Sequence, residues 1–243
     1  MLPTLFLSAL IPFLGGCSPG APEAGASASE AAPSSAPTAP IAATPPNSPT
    51  PTPAKVLPEG AGPLVVFLGD SLSAGQGLEA EDAFPAVLGR QLAAEGRPVR
   101  IVNAGVSGDT TAGGLARLPW VLRQKPDVVV VELGANDGMR ALSLSEMEKN
   151  LRQIVEKSSA AGAEVLLVGM KIPPNYGPAY SEGFAATYPR LARELGVPLV
   201  PFLLAGVGGD EELNQSDGIH PTAEGHRKLA ETVRPYLEKM IAR

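Results

Sequence analysis

Residues 65–73 read Val-Val-Phe-Leu-Gly-Asp-Ser-Leu-Ser. The apolar run leads directly into Gly-Asp-Ser, the pattern of a buried strand that delivers a serine into a tight turn. Such turns are common, so the segment is a weak signal alone. Three later segments carry residues that a serine nucleophile needs. They read Asn-Ala-Gly-Val-Ser-Gly-Asp at 103–109, Gly-Ala-Asn-Asp-Gly at 134–138 and Asp-Gly-Ile-His-Pro at 217–221. Together they predict a hydrolase whose parts are spread along the chain.

The composition of the 243-residue chain changes near residue 62. Residues 18–61 consist mostly of Ala, Pro, Ser and Thr, with too little apolar surface to offset the entropy of ordering. We predict a disordered, Pro-stiffened tether there. Residues 62–243 are long enough for one domain with a sizeable core.

The N-terminal segment, residues 1–17, resembles a bacterial lipoprotein signal peptide. Its apolar stretch is shorter than the roughly 20 residues that span a bilayer, and Leu-Gly-Gly precedes the single cysteine, Cys17. This predicts cleavage before Cys17 and lipidation of its thiol, which would anchor the protein in the cell envelope facing the periplasm. The alternative is an ordinary secretory signal. Both differ from the usual pattern in that no Lys or Arg precedes Lys55.

Charge and metal-ligand content exclude several classes of partner. The net charge is -6 and no basic cluster occurs, which argues against nucleic acid. Two histidines and one cysteine argue against a zinc site or a disulfide framework. We expect a monomer that contacts the membrane through its N-terminal lipid.

Beyond residue 62, apolar runs alternate with helical periodicity. This alternation predicts an α/β fold with a parallel sheet of about five strands covered by helices on both faces. The helix at 145–161 has Ser145 followed by Glu148, which fits a capping box. The predicted strands are 63–68, 99–102, 127–133, 164–170 and 197–202, and the other predicted helices are 82–95, 112–124, 180–195 and 223–241.

The motif segments all follow predicted strands, at the sheet edge where ligands bind in such folds. A serine hydroxyl needs a base, and the base needs a partner that fixes its tautomer. His220 is the candidate base for Ser71, with Asp217 as its partner. The other histidine, His226, lies beside Arg227 and is predicted on a solvated helix face.

Negative charge that develops on a substrate oxygen needs preorganised hydrogen-bond donors. The candidates are the backbone N–H groups of Ser71 and Gly108 and the side-chain amide of Asn136. Gly108 and Asn136 could instead be ordinary turn residues. Three aspartates near the motifs are interpreted as turn formers or helix N-caps rather than catalytic groups. They are Asp70, Asp109 and Asp137.

The four segments resemble the blocks of the SGNH or GDSL hydrolase family, particularly the branch of bacterial acyl-CoA thioesterase I, lysophospholipase and arylesterase. The similarity covers residues 64–240, and the Gly-x-Ser-x-Gly elbow of other hydrolases is absent. The resemblance implies a flavodoxin-like three-layer α/β/α fold and no metal or organic cofactor. It implies a lipase-like or esterase activity through an acyl-enzyme, with Ser71, Asp217 and His220 as the triad. The loop at 171–180 and the segment after Gly138 would shape the acyl groove.

Three hypotheses follow from these residues. The first is a lipid-anchored esterase or thioesterase with broad acyl specificity, acting on aryl esters, short-to-medium acyl esters or lysophospholipids. The second is a carbohydrate O-acetyl esterase acting on envelope polysaccharide. The third is a binding module without catalysis. The joint presence of Ser71, Asp217 and His220 argues against the third, since binding alone requires no such set.

Overall fold

The computed structural model describes residues 62–242. The predicted signal peptide and tether lie outside the described residues, and so does Cys17. Those assignments therefore stay predictions. No helix within residues 62–242 is both long and apolar enough to cross a membrane.

The centre of the domain is a sheet of five parallel strands within the described residues. The strands are β1 Leu64–Gly69, β2 Arg100–Asn103, β3 Val128–Glu132, β4 Glu164–Val168 and β5 Leu199–Val200. Their order in the sheet is β2-β1-β3-β4-β5. Strands β1 and β3 are buried along their whole length, because helices cover both faces of the sheet. The predicted fold class is thus confirmed.

Seven helices connect and cover the strands within the described residues. The helices are α1 Ser71–Ala74, α2 Phe84–Ala94, α3 Thr111–Leu122, α4 Ala135–Met139, α5 Leu144–Ala160, α6 Pro178–Leu195 and α7 Ala223–Ile241. Helices α2 and α7 pack against each other, while α3, α5 and α6 form a second packed layer. The sheet lies between these two layers. Short 3₁₀ turns occur at Ala80–Asp82 and Pro174–Tyr176.

Strand β5 is much shorter than the predicted strand at 197–202. Pro198 and Pro201 flank the two residues that pair with β4, and proline has no N–H to donate to a ladder. The chain therefore leaves the sheet at Pro201 and continues as the long loop that leads to His220.

The predicted capping box of α5 was wrong by two residues. Ser143, not Ser145, is the N-cap, and its Oγ accepts a hydrogen bond from the Glu146 N–H at 3.3 Å. The Ser-x-x-Glu pattern occurs twice in this segment, and only the first copy lies at the start of the helix.

Candidate active site

Ser71 stands where the central strand β1 gives way to a helix of one turn. Asp70 is the N-cap of α1, and its Oδ1 accepts a hydrogen bond from the Leu72 N–H at 3.0 Å. Gly69 before it has no room for a side chain, because an added Cβ would come within 2.0 Å of the Ser73 Oγ. The strand and the capped turn thus present Ser71 at the carboxyl edge of the sheet.

His220 reaches Ser71 from the last loop of the domain. Its Nε2 lies 3.0 Å from the Ser71 Oγ, and its Nδ1 lies 2.7 Å from the Asp217 Oδ2. The other carboxylate oxygen of Asp217 accepts hydrogen bonds from the backbone N–H groups of Ile219 and His220, both at 3.0 Å. One aspartate therefore folds the loop and orients the imidazole in it.

These hydrogen bonds also fix the charge of Asp217. The backbone N–H of His220, followed by its imidazole and the Ile219 N–H, lowers the pKa of Asp217 to about 2. An ionised carboxylate accepts the proton of Nδ1, which leaves Nε2 as the hydrogen-bond acceptor for the serine hydroxyl. The arrangement can take the proton from Ser71 as its oxygen attacks an electrophile.

A guanidinium ties the Gly108 loop to the end of β1. Arg117 of α3 donates from Nη2 to the Gly69 carbonyl at 2.7 Å and from Nε to Asp109 at 2.6 Å, and its Nη1 donates to the Ala104 carbonyl. Gly108 has a φ of 79°, a left-handed conformation that favours glycine. Arg140 donates to the Gly108 carbonyl at 2.9 Å.

Asn136 lies in the short helix α4, directly beyond β3. Its Nδ2 donates to the Asp70 Oδ2 at 3.2 Å, so the same aspartate that caps the serine turn orients this amide. The neighbouring Asp137 accepts hydrogen bonds from the N–H and the hydroxyl of Thr111 at 2.8 and 2.7 Å. This fixes α4 to the first turn of α3.

Burial makes Asp70 different from Asp217. Desolvation raises the pKa of Asp70 to about 6, although hydrogen bonds from Leu72, Asn136 and Glu132 lower it. The Glu132 carboxyl at the end of β3 is fully buried beside it. Ser71 thus has an ionised carboxylate on its exposed side and a pair of buried carboxyl groups behind it.

A mainly apolar pocket of about 420 Å³ opens beside Ser71 and His220. The loop at 171–174 and Met139 line it, which agrees with the groove expected from the resemblance. Phe202, Leu204 and Ile219 contribute further apolar surface. Among residues 62–242, no three His, Cys, Asp or Glu side chains cluster closely enough to hold a metal ion.

The structure places His220 in hydrogen-bond contact with both Ser71 and Asp217, and it links Asn136 to the serine turn through Asp70. It connects the Gly108 loop to β1 through Arg117.

The sequence patterns did not identify Glu132 and Arg117 as site residues. A charged residue ending a run of four buried valines was the available signal for Glu132, whereas nothing local distinguishes Arg117 from an exposed helix arginine.

His226 is not on a solvated face, contrary to the prediction. It is fully buried, stacks on Phe84 with ring centroids 6.3 Å apart, and its Nδ1 accepts the Phe84 N–H at the start of α2. Burial lowers the pKa of His226 to about 4. The adjacent Arg227 and Lys228 are exposed, but one step of a helix turns the next side chain by about 100°.

The assignment of the aspartates as turn formers or N-caps holds for Asp70 and fails for Asp137. Asp137 lies within α4 and binds the first residue of α3 instead of its own helix. Asp109 precedes the N-cap Thr110, accepts its N–H at 3.1 Å and pairs with Arg117. Both make tertiary contacts that a local pattern does not encode.

Residues 67–228 match the model of the GDSL-like lipase/acylhydrolase family. The chain belongs to this family. The esterase TesA of Pseudomonas aeruginosa is 45% identical over 184 residues, which cover 75% of this chain and 92% of that protein. Thioesterase 1/protease 1/lysophospholipase L1 of Escherichia coli is 42% identical over 182 residues, covering 74% of this chain and 86% of that protein.

Solved structures of this family share the fold. The crystal structure of the psychrotrophic esterase EstA from Pseudoalteromonas, inhibited by monoethylphosphonate, superposes with a TM-score of 0.71 at 34% identity. The match covers 74% of this chain and 99% of that one. This GDSL-family chain is a serine ester hydrolase, as the sequence predicted. The comparisons do not favour the carbohydrate O-acetyl esterase alternative.

Proposed function

We propose that Ser71, His220 and Asp217 are the catalytic triad of an esterase that works through an acyl-enzyme. The observation that carries the proposal is the continuous hydrogen-bonded chain from Asp217 through His220 to Ser71, at the mouth of an apolar pocket. An apolar pocket can bind the acyl chain of an ester, which would place the carbonyl carbon of the ester next to the Ser71 hydroxyl.

The reaction divides into two acyl transfers. The Ser71 Oγ attacks the carbonyl carbon while His220 Nε2 takes its proton, and the imidazolium then returns that proton to the departing alcohol or thiol. Water next attacks the acyl-serine with His220 again as base, and the acid leaves. Asp217 keeps the imidazole oriented and stabilises its charged form throughout.

The oxyanion of each tetrahedral intermediate would bind to three donors. They are the N–H of Ser71, the N–H of Gly108 and the amide of Asn136. As the first residue of α1, Ser71 has an N–H without an intrahelical acceptor. The Asn136 Nδ2 carries two hydrogens, and Asp70 engages one of them, which leaves the second for a substrate oxygen.

For the substrate we propose aryl esters, short-to-medium acyl esters and lysophospholipids, with thioesters as chemically accessible alternatives. The names of the relatives include esterase, thioesterase, lysophospholipase and arylesterase, and the pocket offers a length of apolar surface rather than a polar cradle. Coenzyme A thioesters are cytoplasmic, so an exported protein would meet esters and lysophospholipids instead.

A panel of p-nitrophenyl esters from acetyl to palmitoyl, with a lysophospholipid and an acetylated glycan, tests this substrate class. We expect octanoyl-type esters and the lysophospholipid to be cleaved, and Ser71→Ala to lose about 10⁶ in kcat. Ser145→Ala is the matched control, because Ser145 is exposed and does not line the pocket beside Ser71. Cleavage of acetyl esters alone would contradict the proposal.

We further propose that Cys17 carries the lipid that holds the enzyme in the bacterial envelope, facing the periplasm. The support is the small residues before a single cysteine and the Pro-rich segment after it. Cys17→Ala should release the full chain from the membrane fraction. Unchanged membrane association of that variant would show that Cys17 is not the anchor.

A further inference from the structure

Glu132 accepts three hydrogen bonds from the turn that carries Ser71. Its Oε2 lies 3.3 Å from the Asp70 N–H nitrogen, 3.2 Å from that of Ser73 and 2.7 Å from the Ser73 hydroxyl. The carboxyl is 0% exposed and occupies space that only a glycine at position 69 leaves open, since a Cβ there would meet the Glu132 Oε2 at 2.6 Å.

Among the described residues, this buried carboxyl has no compensating cation. Within residues 62–242, no Lys or Arg forms an ion pair with Glu132. Its second oxygen, Oε1, accepts no hydrogen bond from any described residue. An unpaired buried carboxylate is costly, so such a group takes up a proton instead. Burial, reinforced by the neighbouring Asp70, raises the pKa of Glu132 well above its ordinary value.

The other charged or titratable groups around the pair do not supply a positive charge to Glu132. Arg117 approaches the same turn, but its charge is paired with Asp109, and its other two donating nitrogens bind the Gly69 and Ala104 carbonyls. Tyr188 of α6 is buried near the pair and donates to the Leu133 carbonyl. His220 acts on Asp70 from the solvent side.

We propose that Glu132 is a positioning residue that works as a neutral carboxylic acid, donating its Oε1–H to Asp70 while its Oε2 holds the serine turn. Asp70 has the acceptor capacity for this proton, because its Oδ1 accepts the Leu72 N–H and its Oδ2 accepts the Asn136 amide, and each carboxylate oxygen can accept a second hydrogen bond. The oxygen without a donor on Glu132 is the one that would carry the proton.

This network positions both the serine turn and the Asn136 amide from the buried side of the site. Asp70, held by Glu132, accepts the Leu72 N–H that caps α1 and the Asn136 amide. Glu132 therefore acts on the chemistry only through Asp70 and the turn, without touching a substrate. The inference rests on the proposed roles of Ser71 and Asn136, and it adds a proton requirement that those roles do not include.

The test uses two substitutions in the full chain. In Glu132→Gln, an amide oxygen replaces Oε2 and an amide N–H can donate to Asp70, so the variant should retain most of the parent's kcat at neutral pH. Glu132→Leu removes both functions, and kcat should fall about 100-fold with KM little changed, the effect of a displacement on the order of 1 Å. Glu156→Gln repeats the chemical change on an exposed face of α5 as a control.

The pH profile separates positioning from simple packing. In the parent, kcat should fall at alkaline pH when the carboxyl pair loses its shared proton. Glu132→Gln cannot lose it, so its alkaline limb should lie at higher pH than the parent's. A Gln variant as impaired as the Leu variant, or an alkaline limb that does not move, would overturn the proposal. Circular dichroism of each variant shows whether a loss of activity is a loss of fold.

Infrared difference spectroscopy detects whether the Glu132 carboxyl is protonated, without relying on an activity measurement. At neutral pH, subtracting the Glu132→Gln spectrum from that of the parent should leave the carbonyl stretch of a protonated carboxylic acid. A carboxylate band in its place would overturn the inference and leave the proposed triad untouched. Failure of the triad itself would appear instead as retained activity in Ser71→Ala.

Discussion

Two aspartates lie near Ser71, Asp217 on the solvent side and Asp70 on the buried side, and they differ in exposure and in pKa. Asp217 has 44% of its side chain exposed, and N–H donors lower its pKa to about 2. Asp70 is 1% exposed, and burial raises its pKa to about 6. The exposed carboxylate stays charged and can stabilise an imidazolium. The buried carboxyl group of Asp70 belongs to the network that holds the serine turn. In the proposed arrangement its neighbour Glu132 stays protonated, so the two groups do not both carry a charge.

The largest effect that separates the two sides is expected from Asp217→Asn. An amide would favour the wrong tautomer of His220, and we expect kcat to fall by about 10⁴ with the fold intact. Steady-state kinetics on a p-nitrophenyl ester measure this. Asp210→Asn, on an exposed residue of the same long loop, is the control and should leave kcat unchanged. A comparable loss in that control would show that loop charge, rather than the contact with His220, matters.

The next effect concerns the amide that Asp70 orients. Removing an oxyanion donor by Asn136→Ala should lower kcat by 10²–10³, on the order of 3–4 kcal/mol in the barrier, with KM nearly constant. The free energy of unfolding of the same variant, measured by thermal denaturation, should change far less than the activation free energy. A rise in KM at constant kcat would instead assign Asn136 to ground-state binding.

Arg117→Lys tests whether the Gly108 loop needs its clamp. Lysine cannot reach Gly69, Ala104 and Asp109 together, so we expect kcat to fall about tenfold, equivalent to about 1.4 kcal/mol in the barrier. Arg123→Lys, at an exposed site on the same segment, serves as control. Equal activities of the two variants would exclude Arg117 from organising the site.

The smallest expected effect is the pH dependence of stability that the buried His226 causes. His226 has a folded pKa of about 4 against 6.5 unfolded, so the unfolded chain binds more protons between these values. Its contribution to stability, on the order of 3 kcal/mol, is complete above pH 6.5 and is lost as the pH falls to 4. Asn keeps an acceptor for the Phe84 N–H without titrating.

Denaturant unfolding of the parent and of His226→Asn across this range gives the comparison. The stability difference between them should shrink as the pH falls, because only the parent loses the histidine contribution. Asp70 titrates in the same window with the opposite sign, and the subtraction removes it. A difference that does not depend on pH would mean that His226 has the same pKa in the folded and unfolded chains.

Much of this architecture follows from periodicity and spacing. Four valines at 128–131 predict a strand buried on both faces, and α7 has the predicted bounds because its apolar stripe is regular. Ser71, Asp217 and His220 stand out because the loops after parallel strands converge at one edge.

The rest depends on contacts between distant segments. The burial of His226 requires the start of α2, 142 residues earlier in the chain. Glu132 meets Ser73 at a separation of 59 residues, and Arg117 meets Gly69 at 48. Such pairs carry no local signature. The shortness of β5 could have been read from Pro198 and Pro201.

Covalent labelling with a fluorophosphonate, followed by mass spectrometry of the digested protein, shows whether Ser71 is the nucleophile. We predict one adduct per chain, on the peptide that contains Ser71, with slower labelling in Asp217→Asn and none in Ser71→Ala. An adduct on another residue, such as the nearby Ser73, or no adduct in the parent protein would contradict it.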